Sequence, residues 1–395
     1  MRIAINGTGV AGPALAWWLK HYGYDPVLFE RAPKLREGGY LIDFWGIGYD
    51  IAERMGILPE LKRKGYTIES IDLLDEHGKT IASSDVENLR EATGGRLLSI
   101  TRSDVSAGIF NSLEGVETRF GTSITAAEQT EDGVIAAISD GTQEKFDLVI
   151  GADGLHSHIR SEVFGPEQRF ETSMGAHVAA FTLSGYQYRD EDIYVSHAAP
   201  MKMVSRVSLR DDKTLFLFTF RSELVSSPPQ NEEEEKDVIK RAFKDMSWEV
   251  PEILARIKDA EDFYFDRVSQ IKMENWHDGR IALIGDAAAC ISLLGGEGTG
   301  LAITEAYILA GELYRAKGDH LTAFKNYQKR LKPFLIEKQR SAKNMVFFFA
   351  PKNRLQLFLR KMVIRFSSNS LLFKYFIGPM LKDDLDLPDY GSRTS

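Results

Sequence analysis

"RIAINGTGVAGPALAWWLKHYGYDPVLFE", Arg2 to Glu30, decides the fold. Arg2 to Asn6 is a short, largely apolar run of the kind shown by a strand buried on both faces. Gly7-Thr8-Gly9-Val10-Ala11-Gly12 follows, and its glycines mark a tight turn. Pro13 to Tyr22 then has helical spacing, with Leu15, Trp18 and Leu19 on one face. Pro13 suits the first helical turn, where its missing N–H costs little. Gly23 stops the helix, and Pro26 to Phe29 gives a second short strand that ends at Glu30. The order is strand, helix, strand.

In that setting the three glycines have separate tasks. One allows the sharp turn, one lets the backbone approach a pyrophosphate, and one lets helix and strand pack closely. Val10, Ala11 and Gly12 lead from the turn into the helix, whose free N–H groups and partial positive charge favour phosphates. Glu30 stands where a carboxylate accepts hydrogen bonds from a ribose diol, with Arg31 beside it. An acid rather than a base there favours an unphosphorylated ribose, as in FAD or NAD.

The rest of the chain narrows the class. It has 395 residues, 43% hydrophobic and 27% charged, with a net charge of −8. Such a balance argues against a nucleic-acid binder, whose footprint is usually basic. Cys290 is the only cysteine, which excludes an internal disulfide and a cysteine-based metal site and fits a reducing, cytoplasmic setting. No apolar run reaches the roughly 18 residues of a membrane span. The tail "NRLQLFLRKMVIRFSSNSLLFKYFIGPML" is apolar and basic at helical spacing. It reads as a helix packed on the core, with peripheral association with a membrane surface as the alternative.

Further elements follow by pattern. Asp50 to Met55 reads as a helix closed by Gly56, and Ile68–Leu74 and Lys79–Ser83 flank a hairpin turn, "DEHG". Arg102 to Leu113 reads as a helix capped by Thr101. Asp147 to Ile150 and Arg280 to Ile284 are two more buried strands. The first ends in Gly151-Ala152-Asp153-Gly154, the second in Gly285-Asp286-Ala287-Ala288. Ala176 to Phe220 alternates like antiparallel strands, and Leu301–Ala316 and His320–Gln339 read as helices.

The glycine turn with its acid, the Gly-Ala-Asp-Gly with Arg160 six residues after Gly154, and the Gly-Asp-Ala-Ala come in an order and spacing that resemble the class A flavoprotein monooxygenases. This is the aromatic hydroxylase family of the p-hydroxybenzoate hydroxylase fold. "GVAGPALAWWLKHYGYDPVLFERAP" and "DFYFDRVSQIKMENWHDGRIALIGDAA" resemble the tetracycline-inactivating members and the hydroxylases of aromatic polyketides. The resemblance implies an α/β fold: a Rossmann-like FAD-binding domain of three-layer ββα build, an inserted mixed or antiparallel β-sheet substrate domain, and a C-terminal helix. The implied division gives residues 1–72, 99–173 and 268–340 to FAD, 73–98 and 174–267 to substrate, and 341–395 to the C-terminal helical segment.

It also implies a bound FAD, a transient NADPH or NADH, O2, and a phenolic or polycyclic aromatic substrate that is tetracycline-like in the nearest subgroup. Oxygen would be transferred through a flavin C4a-hydroperoxide, with no catalytic side chain required. A monomer or homodimer is expected. Carried over by position, Gly7, Gly9 and Gly12 hold the diphosphate and Glu30 the ribose. Arg102 reaches the flavin side, Asp153 serves FAD and NAD(P)H or else caps its loop, and Asp286, after Gly285, meets the ribityl chain. Gly298, Thr299 and Gly300 bring backbone N–H groups to the flavin's pyrimidine edge. Arg36 and Asp43 fall near flavin-contacting positions. Tyr40, Phe44, His177, Arg206, Phe218, Arg221 and Leu294 are candidates for the substrate wall. His156 and His158 read as capping or surface residues, Arg160 as an ion-pair partner or a nicotinamide contact, and Cys290 as a packed residue.

The chain departs from the family's pattern after Asp286. Ala289 stands where a His or Tyr is common, Ser292 where a Pro is common, and Gly300 where an Asn is common. FAD binding survives these changes, because backbone N–H groups do the holding. Efficient oxygen transfer is what they put in question. A flavoprotein oxidase and a non-catalytic FAD-holding protein therefore stand as alternatives.

Overall fold

The computed structural model describes residues 1–36, 38–343, 345–367, 383 and 385–391. At its centre is a six-stranded sheet in the order His277–Asp278, Ile281–Leu283, Leu148–Gly151, Arg2–Asn6, Asp25–Glu30, Glu117–Phe120. Every pairing is parallel except that of the outermost strand, His277–Asp278. Ile3, Ile5, Leu28, Phe29, Val149 and Ile150 are fully buried, because the sheet is covered on both faces. Helices Ala11–His21 and Gly298–Arg315 lie together in one cover, with Trp18 edge-on to Tyr307 at 4.7 Å. A three-stranded antiparallel sheet, Ile124–Thr130, Gly133–Ile138 and Gln143–Phe146, packs against the central strands as the third layer.

The second body is a seven-stranded sheet in the order Glu261–Ile271, Glu171–Ser184, Lys213–Arg221, Lys202–Ser208, Ile193–Ala199, Ser70–Leu74, Thr80–Asp85. All its pairings are antiparallel save that of Ile193–Ala199 with Ser70–Leu74. The alternation in "KTLFLFTFR" divides it into two faces. Phe216, Phe218 and Phe220 join Phe181 in an outer core under helices Glu232–Phe243 and Val250–Arg256. Leu215 and Leu217 occupy the inner face, packed with Tyr40, Leu41 and Leu97 of the FAD-binding body. The candidate site lies on that inner side.

Several helices extend beyond their sequence outlines, those from Ala11 and Gly298 by two or three residues at the start. The helix expected from Asp50 begins at Gly46 and runs Gly46–Arg54. Its first turn is glycine-rich, which reads as loop, yet Gly46 has φ +68° and Gly48 is packed backbone to backbone. The long helix runs His320–Ala342 with Pro333 inside it. The tail forms helix Arg354–Ser367 against the edge strand Thr80–Asp85, with Arg360 and Ile364 buried. Leu355, Phe358, Leu359, Val363 and Phe366 on the same helix are exposed, and the tail from 368 to 382 lies outside the described residues. Among the described residues no helix is long and apolar enough to cross a membrane.

Candidate flavin site

The glycine turn is built in two ways. A Cβ on Gly7 would stand 2.5 Å from the Ala152 carbonyl oxygen, and one on Gly12 would stand 2.0 Å from that of Gly7. These two glycines close strand, turn and helix onto each other. Gly9 instead faces Arg102, whose Nη2 lies 3.6 Å from the position of a Cβ. The helix that starts at Ala11 has no acidic residue in its first turn and no side-chain cap. Its first N–H groups therefore point beside a guanidinium with no carboxylate to answer them. That donor set fits a diphosphate. Arg102 is held there by its own N–H, which donates to the Tyr40 carbonyl at 3.1 Å, and by the Thr101 cap, which accepts from Asp104 N–H.

Glu30 locks the same turn. Its Oε2 accepts from the Thr8 N–H at 2.9 Å and hydroxyl at 2.7 Å, and its Oε1 accepts from the Ala32 N–H at 2.8 Å. Partial burial alone would raise its pKa, but the bonds from Ala32 and Thr8 and the charge of Arg36 win and lower it. Arg31 and Arg36 are exposed at this end.

The second and third motifs are tied together beneath the turn. Asp153 accepts from Asn6 Nδ2 at 3.1 Å, Ser157 Oγ at 2.5 Å, and the His158 and Ile159 N–H groups. This is the capping arrangement that the sequence left open beside a cofactor role. Arg160 is fully buried and joins Glu167 at 2.9 Å and the Ala287 carbonyl at 3.1 Å. It is thus an ion-pair partner that links the two motifs. Asp286 begins helix Asp286–Ala289, and its Oδ1 lies 4.0 Å from where a Cβ on Gly298 would stand. Gly285 takes φ +62°, and its N–H donates to Glu305 Oε2 at 2.7 Å. Tyr327 donates to the same oxygen at 3.0 Å. Burial pushes the Glu305 carboxyl up to about 8, against these two bonds.

Two helix starts converge on one recess. It is lined by Asp43, Phe44, Trp45, Gly48, Gly296, Glu297, Thr299 and Gly300 among others, and is a shallow, open hollow with a free volume of about 20 Å³. A Cβ on Gly48 would lie 2.4 Å from Gly300 Cα, so the two helices touch backbone to backbone. Lys338 closes the rim by bridging Glu297 and Asp383, both at 2.9 Å, and Asp383 accepts from the Ile47 N–H. Asp43 accepts from Ser99 Oγ at 2.6 Å. Asp43 opens onto this recess, with protein packed closely around it. That burial raises its pKa, with the Ser99 bond opposing. A flat, hydrogen-bonding ring edge fits this concave meeting of N–H groups. Ser292 has φ +114°, which proline's ring cannot adopt, so the loop is rebuilt here and not merely one proline short.

Residues 1–320 match the family model for the FAD binding domain. The chain belongs to this family. It is an FAD-dependent monooxygenase of the class A type. A flavin-dependent monooxygenase from an unknown prokaryotic organism is 37% identical over 339 residues, 86% of this chain and 87% of that protein. Another, from Legionella longbeachae serogroup 1 (strain NSW150), is 36% identical with 86% and 87% covered. The crystal structure of the tetracycline destructase Tet(51) superposes with a TM-score of 0.83 at 31% identity, covering 99% of each chain.

The substrate-wall candidates of the monooxygenase separate by face. His177, Arg206 and Phe218 point to the outer core, not to the flavin side. His177 stacks on Phe220 and bonds Ser222. Arg206 forms a forked pair with Glu249 at 2.7 and 2.8 Å and reaches Asp190. Phe218 packs edge-on against Phe243 at 4.8 Å. A period of two fixes which residues share a face but not which face is inward. Arg221 anchors the C-terminal segment through the Ala350 carbonyl, and Leu294 packs with Ala176, Val178 and Val346. Tyr40 lies 6.4 Å from Tyr264 on the inner side, where burial pushes its phenol up to about 12 and Arg102 and Asp286 act on it in opposite directions. Phe44 is buried and lines the recess.

His156 bridges Glu167 and Asp266 at 3.0 and 3.1 Å, and His158 bonds the Thr125 carbonyl, so both are structural. Cys290 is buried, and burial pushes its thiol well up. Glu305, Gly48 and Lys338 were not singled out in the sequence. The available signal is Glu305, which with Glu312 interrupts the apolar pattern of "GLAITEAYILAGEL".

Proposed function

We propose that this monooxygenase uses NADPH or NADH and O2 to hydroxylate a phenolic or polycyclic aromatic compound, tetracyclines among the candidate substrates. The observation that carries the reading is the recess between the helix starts at Gly46 and Gly298, beside the inner sheet face, where Tyr264 meets Tyr40 of the FAD-binding body. The bound flavin, once reduced, supplies the oxygen chemistry. The chain's part is to bind, orient and exclude water. The Ala11 helix start and Arg102 would hold the diphosphate, Glu30 the ribose, and Asp286 the sugar-alcohol chain. The N–H groups of Thr299 and Gly300 would take the ring edge. The 31% identity to a tetracycline destructase supports tetracyclines as the first compounds to try.

The test is a screen of phenols, catechols and tetracyclines for stimulated NAD(P)H oxidation by FAD-loaded protein, with mass detection of products. A product one oxygen atom heavier is expected. Stimulated oxidation that yields only hydrogen peroxide with every compound would favour the oxidase alternative.

A further inference from the structure

Ser196 and Ser205 face each other across adjacent strands, and Tyr194 lies two residues before Ser196, on the same inner face. The C-terminal helix Arg354–Ser367 sends Arg360 onto this face. Arg360 is 2% exposed, and its Nη2 donates to Ser196 Oγ at 3.3 Å and lies 3.0 Å from Met203 Sδ. Its guanidinium carbon stands 5.0 Å over the Phe348 ring. Its Nε and Nη1 meet no acceptor among the described residues, and the Ser205 hydroxyl lies beside the Tyr194 phenol. The contrast with the molecule's two comparably buried arginines is informative. Arg160 has Glu167, and Arg206 has Glu249 and Asp190. Among the described residues no carboxylate pairs with Arg360.

Burial lowers the Arg360 pKa to about 10, so the group is still cationic at neutral pH. A buried charge without a counter-charge is costly, and such groups are normally paired. The neighbourhood points toward the flavin side. The Tyr194 phenol feels both Arg360 and Asp43, and Asp43 lines the recess below. The missing partner would therefore sit between the sheet and the flavin, where a substrate must lie.

We propose that Arg360, held by Ser196 and flanked by Ser205, receives an anionic oxygen of the aromatic substrate, a carboxylate, phenolate or enolate, and so selects acidic aromatics. This rests on the monooxygenase reading above and names its substrate class. A guanidinium suits the task because its planar fork of N–H donors matches an oxyanion.

The test compares a matched pair, 1-hydroxy-2-naphthoate and its neutral amide, binding to FAD-loaded protein by equilibrium dialysis. The wild type should bind the carboxylate about tenfold to a hundredfold more tightly, the range of a charged hydrogen bond. Arg360→Met should abolish that preference, and Arg360→Lys should keep part of it. FAD content and thermal stability of Arg360→Met should not fall, because an unpaired buried charge is being replaced by an apolar chain. Ser205→Ala, which leaves the charge in place, should weaken the preference. Equal binding of the pair by wild type, binding of neither, or an undiminished preference in Arg360→Met overturns the proposal. Failure of the monooxygenase reading is a separate result: no oxygenated product from any compound with the wild type.

Discussion

Glu305→Gln tests how the turn at Gly285 is held. The Glu305 carboxyl is fully enclosed, and its Oε2 accepts from the Gly285 N–H and the Tyr327 hydroxyl. Burial, with Asp286 adding to it, raises its pKa from the ordinary 4.5 to about 8. Below pH 4.5 folded and unfolded chains both hold the proton, and the protonated group stabilises the fold in full. Between 4.5 and about 8 the unfolded chain has released it while the folded chain keeps it, so stability falls as pH rises. At about 1.36 kcal/mol per pH unit this interval amounts to roughly 5 kcal/mol, an upper figure for a group whose surroundings can relax. Glutamine keeps the accepting oxygen and removes the ionisation. Urea unfolding of FAD-loaded wild type and Glu305→Gln at pH 5, 7 and 9 should give near-equal stabilities at pH 5. The variant should gain progressively and lead by several kcal/mol at pH 9. Glu305→Leu, also free of the ionisation, should fall below Glu305→Gln at every pH by about 1–3 kcal/mol for the orphaned Gly285 N–H, since Tyr327 keeps the Leu283 carbonyl. Parallel pH profiles for wild type and Glu305→Gln would refute the reasoning.

Gly48→Ala should cost about 1–3 kcal/mol and weaken FAD retention, because its Cβ would meet Gly300 Cα at 2.4 Å and drive two helices apart. Gly300→Ala, whose Cβ finds nothing nearer than 3.7 Å, should be close to neutral; thermal melts and FAD titration of both variants check the asymmetry. His156 is held up at about 9 by its bonds to Asp266 and Glu167 against burial. Its contribution is present below its ordinary 6.5 and is lost as pH rises through about 9, so His156→Gln should destabilise at pH 6 and be nearly silent at pH 10, read from urea midpoints.

The first thirty residues made the dinucleotide-binding unit legible, because a glycine turn between an apolar strand and an amphipathic helix leaves the backbone few alternatives. The buried strands at Leu148–Gly151 and Ile281–Leu283, and the Thr101 cap, were legible for the same local reason. The same locality misled at Gly46–Gly48. The helical pattern there begins only at Asp50, whereas Gly46 supplies a positive φ and Gly48 a helix crossing made with Gly300, some 250 residues away.

The sequence by itself determined the strand-turn-helix order, the glycine positions that accept no side chain, and the alternation that separates two faces of the second sheet. Only the tertiary structure decided which face looks inward. It turned Phe218 and Arg206 away and brought Tyr264 and Arg360 in. The physical reason is that a strand's period of two is symmetric until something packs on one side. Here helices Glu232–Phe243 and Val250–Arg256 claim the phenylalanine face and leave the other to the flavin side.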